Sequence, residues 1–133
     1  MQHYEHRAIP DHNRWQCDHI GGVTFTTHDN SISKVLDNKT DICGSIHIGN
    51  NCFIGRGAMI LMGVSLADDI IVGAGSIVTK SFYDSKIIIA GNPAKVIGKW
   101  EGFAERYKDL AVNLKGLSPV ERKSEIEQHL IQK

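Results

Sequence analysis

A chain of 133 residues has the size of one small domain. Its 15 Lys and Arg balance 15 Asp and Glu, which removes the electrostatic argument for a nucleic-acid partner or an anionic membrane surface. Residues 1–14 are polar and rich in His, and no stretch approaches the roughly 20 apolar residues of a membrane span, so a cytoplasmic protein without membrane contact is expected.

Residues 1–20 show no clear periodicity, although Ile9-Pro10-Asp11 suggests a turn and Trp15 an apolar contact. His3, His6, His12 and His19 are spaced by three, six and seven residues, which matches no tight ligand pattern, so no metal is expected there. Cys17, Cys43 and Cys52 form no Cys-x-x-Cys pair and are odd in number, which supports neither a disulfide framework nor a structural zinc site. Cys43 and Cys52 are expected to fill small inward or corner positions. Val23-Thr24-Phe25-Thr26-Thr27 is β-prone, and a polar excursion follows over residues 29–40.

From Ile42 onward an aliphatic residue stands at every sixth position: Ile42, Ile48, Ile54, Ile60, Leu66, Val72 and Val78. That spacing fits neither a helix nor an alternating strand and marks an internal repeat. The residue after the aliphatic is often small (Gly49, Gly55, Ala67, Gly73), and the fifth is often compact (Cys52, Ala58, Val64, Ser76). Six residues suffice for one short strand and one bend, with Gly giving backbone freedom at the bend and the anchor stacking on its counterpart one coil above. Three such units make a triangular coil whose neighbours stand roughly 4.8 Å apart through parallel pairing. Periodicity leaves the hand of the coil open.

Ile87-Ile88-Ile89 is a further strand, followed by a turn at Gly91-Asn92-Pro93. After Lys99 the period changes. Trp100, Phe103, Tyr107, Leu110, Ala111 and Leu114 recur at steps of three and four, which predicts an amphipathic helix stopped by Gly116. Ser118-Pro119-Val120-Glu121 opens a second helix, with Ser as N-cap, Pro at the first helical position and Glu placed for a capping box.

Three stretches resemble the hexapeptide-repeat acyltransferases, in particular the branch that acetylates sugars and small xenobiotics: Gly22-Val23-Thr24-Phe25-Thr26-Thr27-His28-Asp29-Asn30, Ile71-Val72-Gly73-Ala74-Gly75-Ser76-Ile77-Val78-Thr79-Lys80, and Ala90-Gly91-Asn92-Pro93-Ala94-Lys95-Val96-Ile97. The resemblance spans residues 20–98. It implies a mainly β fold, a single-stranded left-handed parallel β-helix over residues 1–99, with a catalytic loop at 28–41 and a C-terminal α-helical tail over 100–133. It implies a homotrimer with active sites between subunits and acetyl-CoA as the acyl donor. The seven hexads make just over two coils, about four with the flanking strands, near the lower limit for stacked units alone, so burial between subunits is expected on that ground too. Fewer than thirty residues precede His28, and the first coil is expected to present an open edge.

By the same resemblance His28 matches the catalytic histidine. Acyl transfer from a thioester needs a base that titrates near neutrality, as imidazole does at about 6.5. The acceptor would attack the acetyl carbonyl directly, with backbone N–H groups holding the oxyanion. The acetyl-CoA positions of the family fall on Arg56, Ala74, Thr79, Lys80 and Lys95. Arg56 departs from the small polar residue expected there, and Lys95 stands where Arg is frequent. Asp29, Asn30 and Trp15 are candidate acceptor contacts. If residues 28 and 29 are extended, Asp29 points away from His28, and an Asx-type loop bond is an equal expectation for it.

Three functions compete: acetyl transfer to a hydroxyl or amine of a sugar, polysaccharide precursor or small molecule; a trimeric scaffold that has lost activity; and a γ-class carbonic anhydrase. The last needs three zinc-binding histidines, whereas residues 42–99 contain only His47, itself read as a surface residue.

Overall fold

The computed structural model describes residues 21–133 together with the backbone of Tyr4–His6 and Asp18–His19. Trp15, Asp11 and the side chains of the N-terminal histidines lie outside the described residues. The chain clusters into two compact units, Met1–Lys99 and Trp100–Lys133.

The first unit is built from strands of two to six residues. β1 (Tyr4–His6), β2 (Asp18–His19) and β3 (Thr24–Thr26) come first, then β4 (His28–Asp29) and β5 (Ile42–Cys43). Next are β6 (Ile46–Ile48), β7 (Phe53–Ile54), β8 (Met59–Leu61), β9 (Ser65–Leu66), β10 (Ile70–Val72) and β11 (Ile77–Val78). β12 (Ile87–Gly91) and β13 (Ala94–Lys99) close the unit. Successive strands rotate through three sheets. The first sheet orders β1-β6-β9, the second β13-β12-β10-β7-β2 and the third β11-β8-β3. Within these three sheets pairing is parallel except for β12 with β13, an antiparallel hairpin turned at Asn92-Pro93, whose peptide bond is cis.

The register stacks the sixth-position anchors on one another. Ile48 pairs with Leu66, Ile54 with Val72 and then Ile89, and Ile60 with Val78. These residues are buried, as are Ile46, Cys52, Ala58, Val64, Ile70 and Ser76, so the compact fifth position of each hexad also points inward. Full burial of one such aliphatic contributes on the order of 1.5–3 kcal/mol, and the stack supplies the core. Residues 1–20, unpatterned in sequence, contribute β1 beneath β6 and β2 beneath β7. A strand of two or three residues at the edge of a sheet is too short to display a period.

Four expectations need correction. Ile42 shares the hexad register but is 46% exposed, because it lies in β5, which pairs antiparallel with β4 outside the three sheets. Cys43, its neighbour, is exposed, while Cys52 is buried as expected. The glycines after the anchors are required by close approach rather than by conformational freedom. A Cβ on Gly49 would stand 2.5 Å from Ala67 C, and one on Gly55 2.6 Å from Ala74 N. The left-handed bends fall elsewhere, at Gly57, Gly63 and Gly75, and at the polar corner residues Asn51, Asp69 and Lys86. That polar corner is laced coil to coil by Asn51 Nδ2 donating to Asp69 Oδ1 at 2.7 Å and Asn50 N donating to Asp68 Oδ1 at 2.7 Å.

The fourth correction concerns the second unit. α1 (Trp100–Tyr107) ends well short of Leu114. Leu110 N and Ala111 N both donate to Tyr107 O, at 3.0 and 2.8 Å, and close the last turn, after which Asn113 Oδ1 accepts from Lys115 N at 3.0 Å in a local bond outside the helix ladder. None of the eight residues of α1 is buried, and a helix this short without a packed face has little to extend it. α2 (Pro119–Gln128) starts as the sequence dictates: Pro119 occupies its first turn and Ser118 Oγ accepts from Glu121 N at 3.2 Å. No helix among the described residues is long and apolar enough to cross a membrane.

Candidate active site

Two corners of the first unit carry the candidate residues. At the corner between the second and third sheets, Gly55 lies under Ala74 and Gly73 under Ala90, whose Cβ would be 2.9 Å from a Cβ on Gly73. Arg56 O accepts from Gly75 N at 2.8 Å, and Ser76 Oγ accepts from Gly91 N at 3.2 Å. Lys95 faces Ala90 across the β12–β13 pair. Arg56, Ala74 and Lys95 therefore share one column of coils, all exposed. Ala74 and Gly75 are small and exposed on this column, and a Cβ on Gly75 would meet open space. A slender chain ending in phosphates suits such a surface: backbone on one side, and Arg56 and Lys95 as cations beside it.

Thr79 and Lys80 follow β11 at the next corner, between the third and first sheets, and both are exposed. Lys80 Nζ lies 5.5 Å from the centroid of the Phe82 ring, near enough for a cation–π contact that steadies the ammonium. The hairpin that bears His28 leaves the coil at this same corner, one coil below Leu61, which Thr26 pairs. Its neck is closed by Gly44 N donating to Thr27 O at 2.9 Å, after which Gly63 N bonds Ser45 O at 2.8 Å.

The hairpin itself consists of β4, a 3₁₀ turn at Ser31–Lys34 and β5. His28 is exposed and stands across from Cys43. Its Nδ1 lies 3.4 Å from Thr27 Oγ1. Asp29 does not orient His28: its Oδ1 accepts from Ser31 N at 2.7 Å, the Asx-type bond, and the hydrogen bonds from Ser31, side chain and then backbone, pull its carboxyl below the ordinary carboxylate range. Asn30 O accepts from Ser33 Oγ at 2.7 Å and Ser33 N at 3.1 Å, so its backbone builds the 3₁₀ turn. His47 is exposed, with Nε2 3.1 Å from Ser45 Oγ. Among the described residues no group of three or more His, Cys, Asp or Glu is gathered. Thr27 was not singled out by sequence, which offers only a hydroxyl residue directly before His28; the structure adds that Thr27 is buried while His28 is exposed.

A family model described as the hexapeptide repeat of succinyl-transferase matches residues 45–80. Protein CapG of Staphylococcus aureus is 41% identical over 104 residues, covering 77% of this chain and 60% of CapG. A maltose O-acetyltransferase from Clostridium difficile 630 superposes with a TM-score of 0.56 at 30% identity, over 62% of this chain and 44% of that one. Residues 45–80 thus carry a hexapeptide repeat, and the chain is similar in sequence and fold to hexapeptide-repeat acetyltransferases.

A second solved structure, a galactoside acetyltransferase in complex with coenzyme A, is 32% identical, with a TM-score of 0.56 over 63% of this chain and 42% of that one. The hexapeptide-repeat chain thus spans less than two thirds of each of these three relatives.

Proposed function

We propose that this chain is an acetyl-CoA-dependent acetyltransferase acting on a hydroxyl, or an amine, of a sugar, polysaccharide precursor or comparable small acceptor. In this reading the three sheets are the faces of a left-handed parallel β-helix, and the protein works as a homotrimer with sites between subunits. The observation that carries the reading is the division of the candidate residues between two corners. Arg56, Ala74 and Lys95 lie on one, whereas His28, Thr79 and Lys80 lie on the other. A full strand of the third sheet separates these corners, on the order of 10 Å at about 3.3 Å per residue. A second copy that sets its Arg56–Lys95 column beside the His28 hairpin unites the two halves across a subunit groove.

Acetyl-CoA supplies the activated acyl group. Lys95, Lys80 and Arg56 meet its phosphates as charges, and Ala74 and Thr79 line the path of its pantetheine arm. His28 removes the proton from the acceptor hydroxyl as that oxygen attacks the thioester carbonyl, and then returns it to the departing thiolate. Backbone N–H groups of a neighbouring coil hold the oxyanion. Asp29 shapes the hairpin through Ser31, and Asn30 and Trp15 remain the proposed acceptor contacts.

Release of CoA from acetyl-CoA across a panel of sugar hydroxyl, amino-sugar and small xenobiotic acceptors tests the reading. Acceptor-dependent release that falls roughly 10²–10⁴-fold in His28→Ala supports it, the range expected for loss of a general base. No release with any acceptor, together with no saturable acetyl-CoA binding, overturns it in favour of a trimeric scaffold.

A further inference from the structure

We propose that Thr27 is the positioning residue of His28: its hydroxyl holds a proton on His28 Nδ1, which leaves Nε2 as the basic nitrogen. The proposal rests on the reading of His28 as the general base.

Thr27 and His28 are adjacent yet occupy opposite environments. Thr27 is 4% exposed, and its carbonyl oxygen accepts from Gly44 N at the neck of the hairpin. It is therefore fixed to the coil, whereas His28 is the first exposed residue of the hairpin. The contact between Thr27 Oγ1 and His28 Nδ1, at 3.4 Å, ties the exposed ring to that fixed point. It is long for a hydrogen bond, as catalytic contacts often are before substrate binds. Among the described residues Thr27 is the hydrogen-bond partner of the ring. The nearby titratable groups do not compete: Asp29, on the same strand, is committed to Ser31, and Cys43, across on β5, forms no hydrogen bond with the ring.

The chemistry decides which way this bond runs. A threonine hydroxyl can donate or accept. If it donated to Nδ1, the neutral ring would carry its proton on Nε2 and could not take another there. If Nδ1–H donates to Oγ1, Nε2 keeps its lone pair and can remove the proton of the acceptor. Once Nε2 has taken that proton both ring nitrogens are donors, and Nδ1–H donating to Oγ1 is the only arrangement left. A single hydrogen bond thus serves the free base and the imidazolium alike, with no rearrangement between them.

The test is the protonation pattern of His28, read by long-range nitrogen–proton NMR on the neutral ring of the full chain. In the wild type Nδ1 is expected to carry the proton. In Thr27→Val, which keeps the shape and removes the hydroxyl, the proton moves to Nε2, and in Thr27→Ser it stays on Nδ1. In kinetics, Thr27→Val lowers kcat roughly three- to tenfold, the worth of one hydrogen bond, with KM for acetyl-CoA unchanged. Circular dichroism of each variant shows whether the coil is retained.

A wild-type His28 protonated on Nε2, or a pattern unchanged in a folded Thr27→Val, overturns the proposal. The two readings fail separately. If His28→Ala leaves CoA release unchanged, the general-base role falls, while the NMR pattern still decides the part played by Thr27.

Discussion

Cys43 stands directly across from His28 in the antiparallel pair of β4 and β5. Directly opposed residues on such a pair project to the same side, with Cβ atoms about 4.5–5.5 Å apart. The thiol of Cys43 therefore shares the surface on which the acceptor would meet His28. The other described thiol differs in every respect: Cys52 is buried, and burial pushes its pKa up to about 11.

Brief alkylation of the folded protein is expected to label Cys43 and spare Cys52, since the thiolate is the reacting form and must be accessible. The added group on Cys43 should lower acetyl transfer at least tenfold by occupying space beside His28. Peptide mass spectrometry identifies the labelled residue. Cys43→Ala should retain activity and lose its sensitivity to the reagent, and a Cys43→Ala protein inhibited as strongly as the wild type would refute the placement.

The close stacking at the Gly55–Ala74 corner gives a stability prediction with its own control. A methyl group on Gly55 meets the backbone of the next coil at 2.6 Å, and backbone cannot swing aside as a side-chain end can. Gly55→Ala should destabilise the unit by about 1–3 kcal/mol, the usual cost of overpacking. Gly98, in β13, has open space where its Cβ would stand and no left-handed backbone, so Gly98→Ala should change stability by less than about 0.5 kcal/mol. Urea unfolding midpoints of the two variants decide the matter; equal midpoints would mean that the coils are not stacked in this register.

Asp29 supplies the pH dependence. Ser31 holds its carboxyl below its ordinary value of 3.8, so the folded pKa lies under the unfolded one. For such a group the added stability of the hairpin is fully present above the unfolded pKa and is lost as pH falls through the folded pKa. The bond from Ser31 N should therefore persist through ordinary acidic pH and break only below about 3.8. NMR titration of the Ser31 amide should show a midpoint below that value. Asp29→Asn, which keeps an acceptor oxygen, should abolish the titration while preserving the turn. A midpoint above 3.8 would show that the Asx bond does not form in solution.

How far the fold could be read from the residues depended on repetition. Ile48, Ile54, Ile60, Leu66, Val72 and Val78 each face their counterpart in the neighbouring coil, and one period sufficed to place them. Ile42 carries the same register for a different reason, since β5 returns from the hairpin in phase with the repeat without belonging to it. A local pattern cannot distinguish a strand within the coil from one that merely adjoins it. The glycines were legible as positions but not as causes: Gly49 and Gly55 look like bend residues, and only the coil above shows that a Cβ has no room. The capped start of α2 was legible because Ser118, Pro119 and Glu121 act within one turn. The end of α1 was not, because steps of three and four continue to Leu114, beyond Ala111, whose N–H makes the last bond back to the helix. At the site, His28 and the lysines were visible as residue types in a motif. Their distribution over two corners was not, because it depends on how the strands rotate through the sheets.

That distribution leads to the most direct test of where catalysis occurs. If a site is completed by a neighbouring subunit, His28 of one copy works with Lys95 of the next, and two inactive variants should rescue each other. His28→Ala removes the base, and Lys95→Glu places a negative charge where donor phosphates are to bind, so each alone should have little activity. Refolding an equal mixture distributes the two kinds of subunit at random. About a quarter of the interfaces then join an intact His28 to an intact Lys95, and roughly a quarter of wild-type activity should return. Simple mixing without refolding should restore none unless subunits exchange. If one subunit held the whole site, every site in the mixture would carry one lesion or the other, and refolding would restore nothing. Activity against the fraction of each variant therefore separates a site within one chain from a site between two.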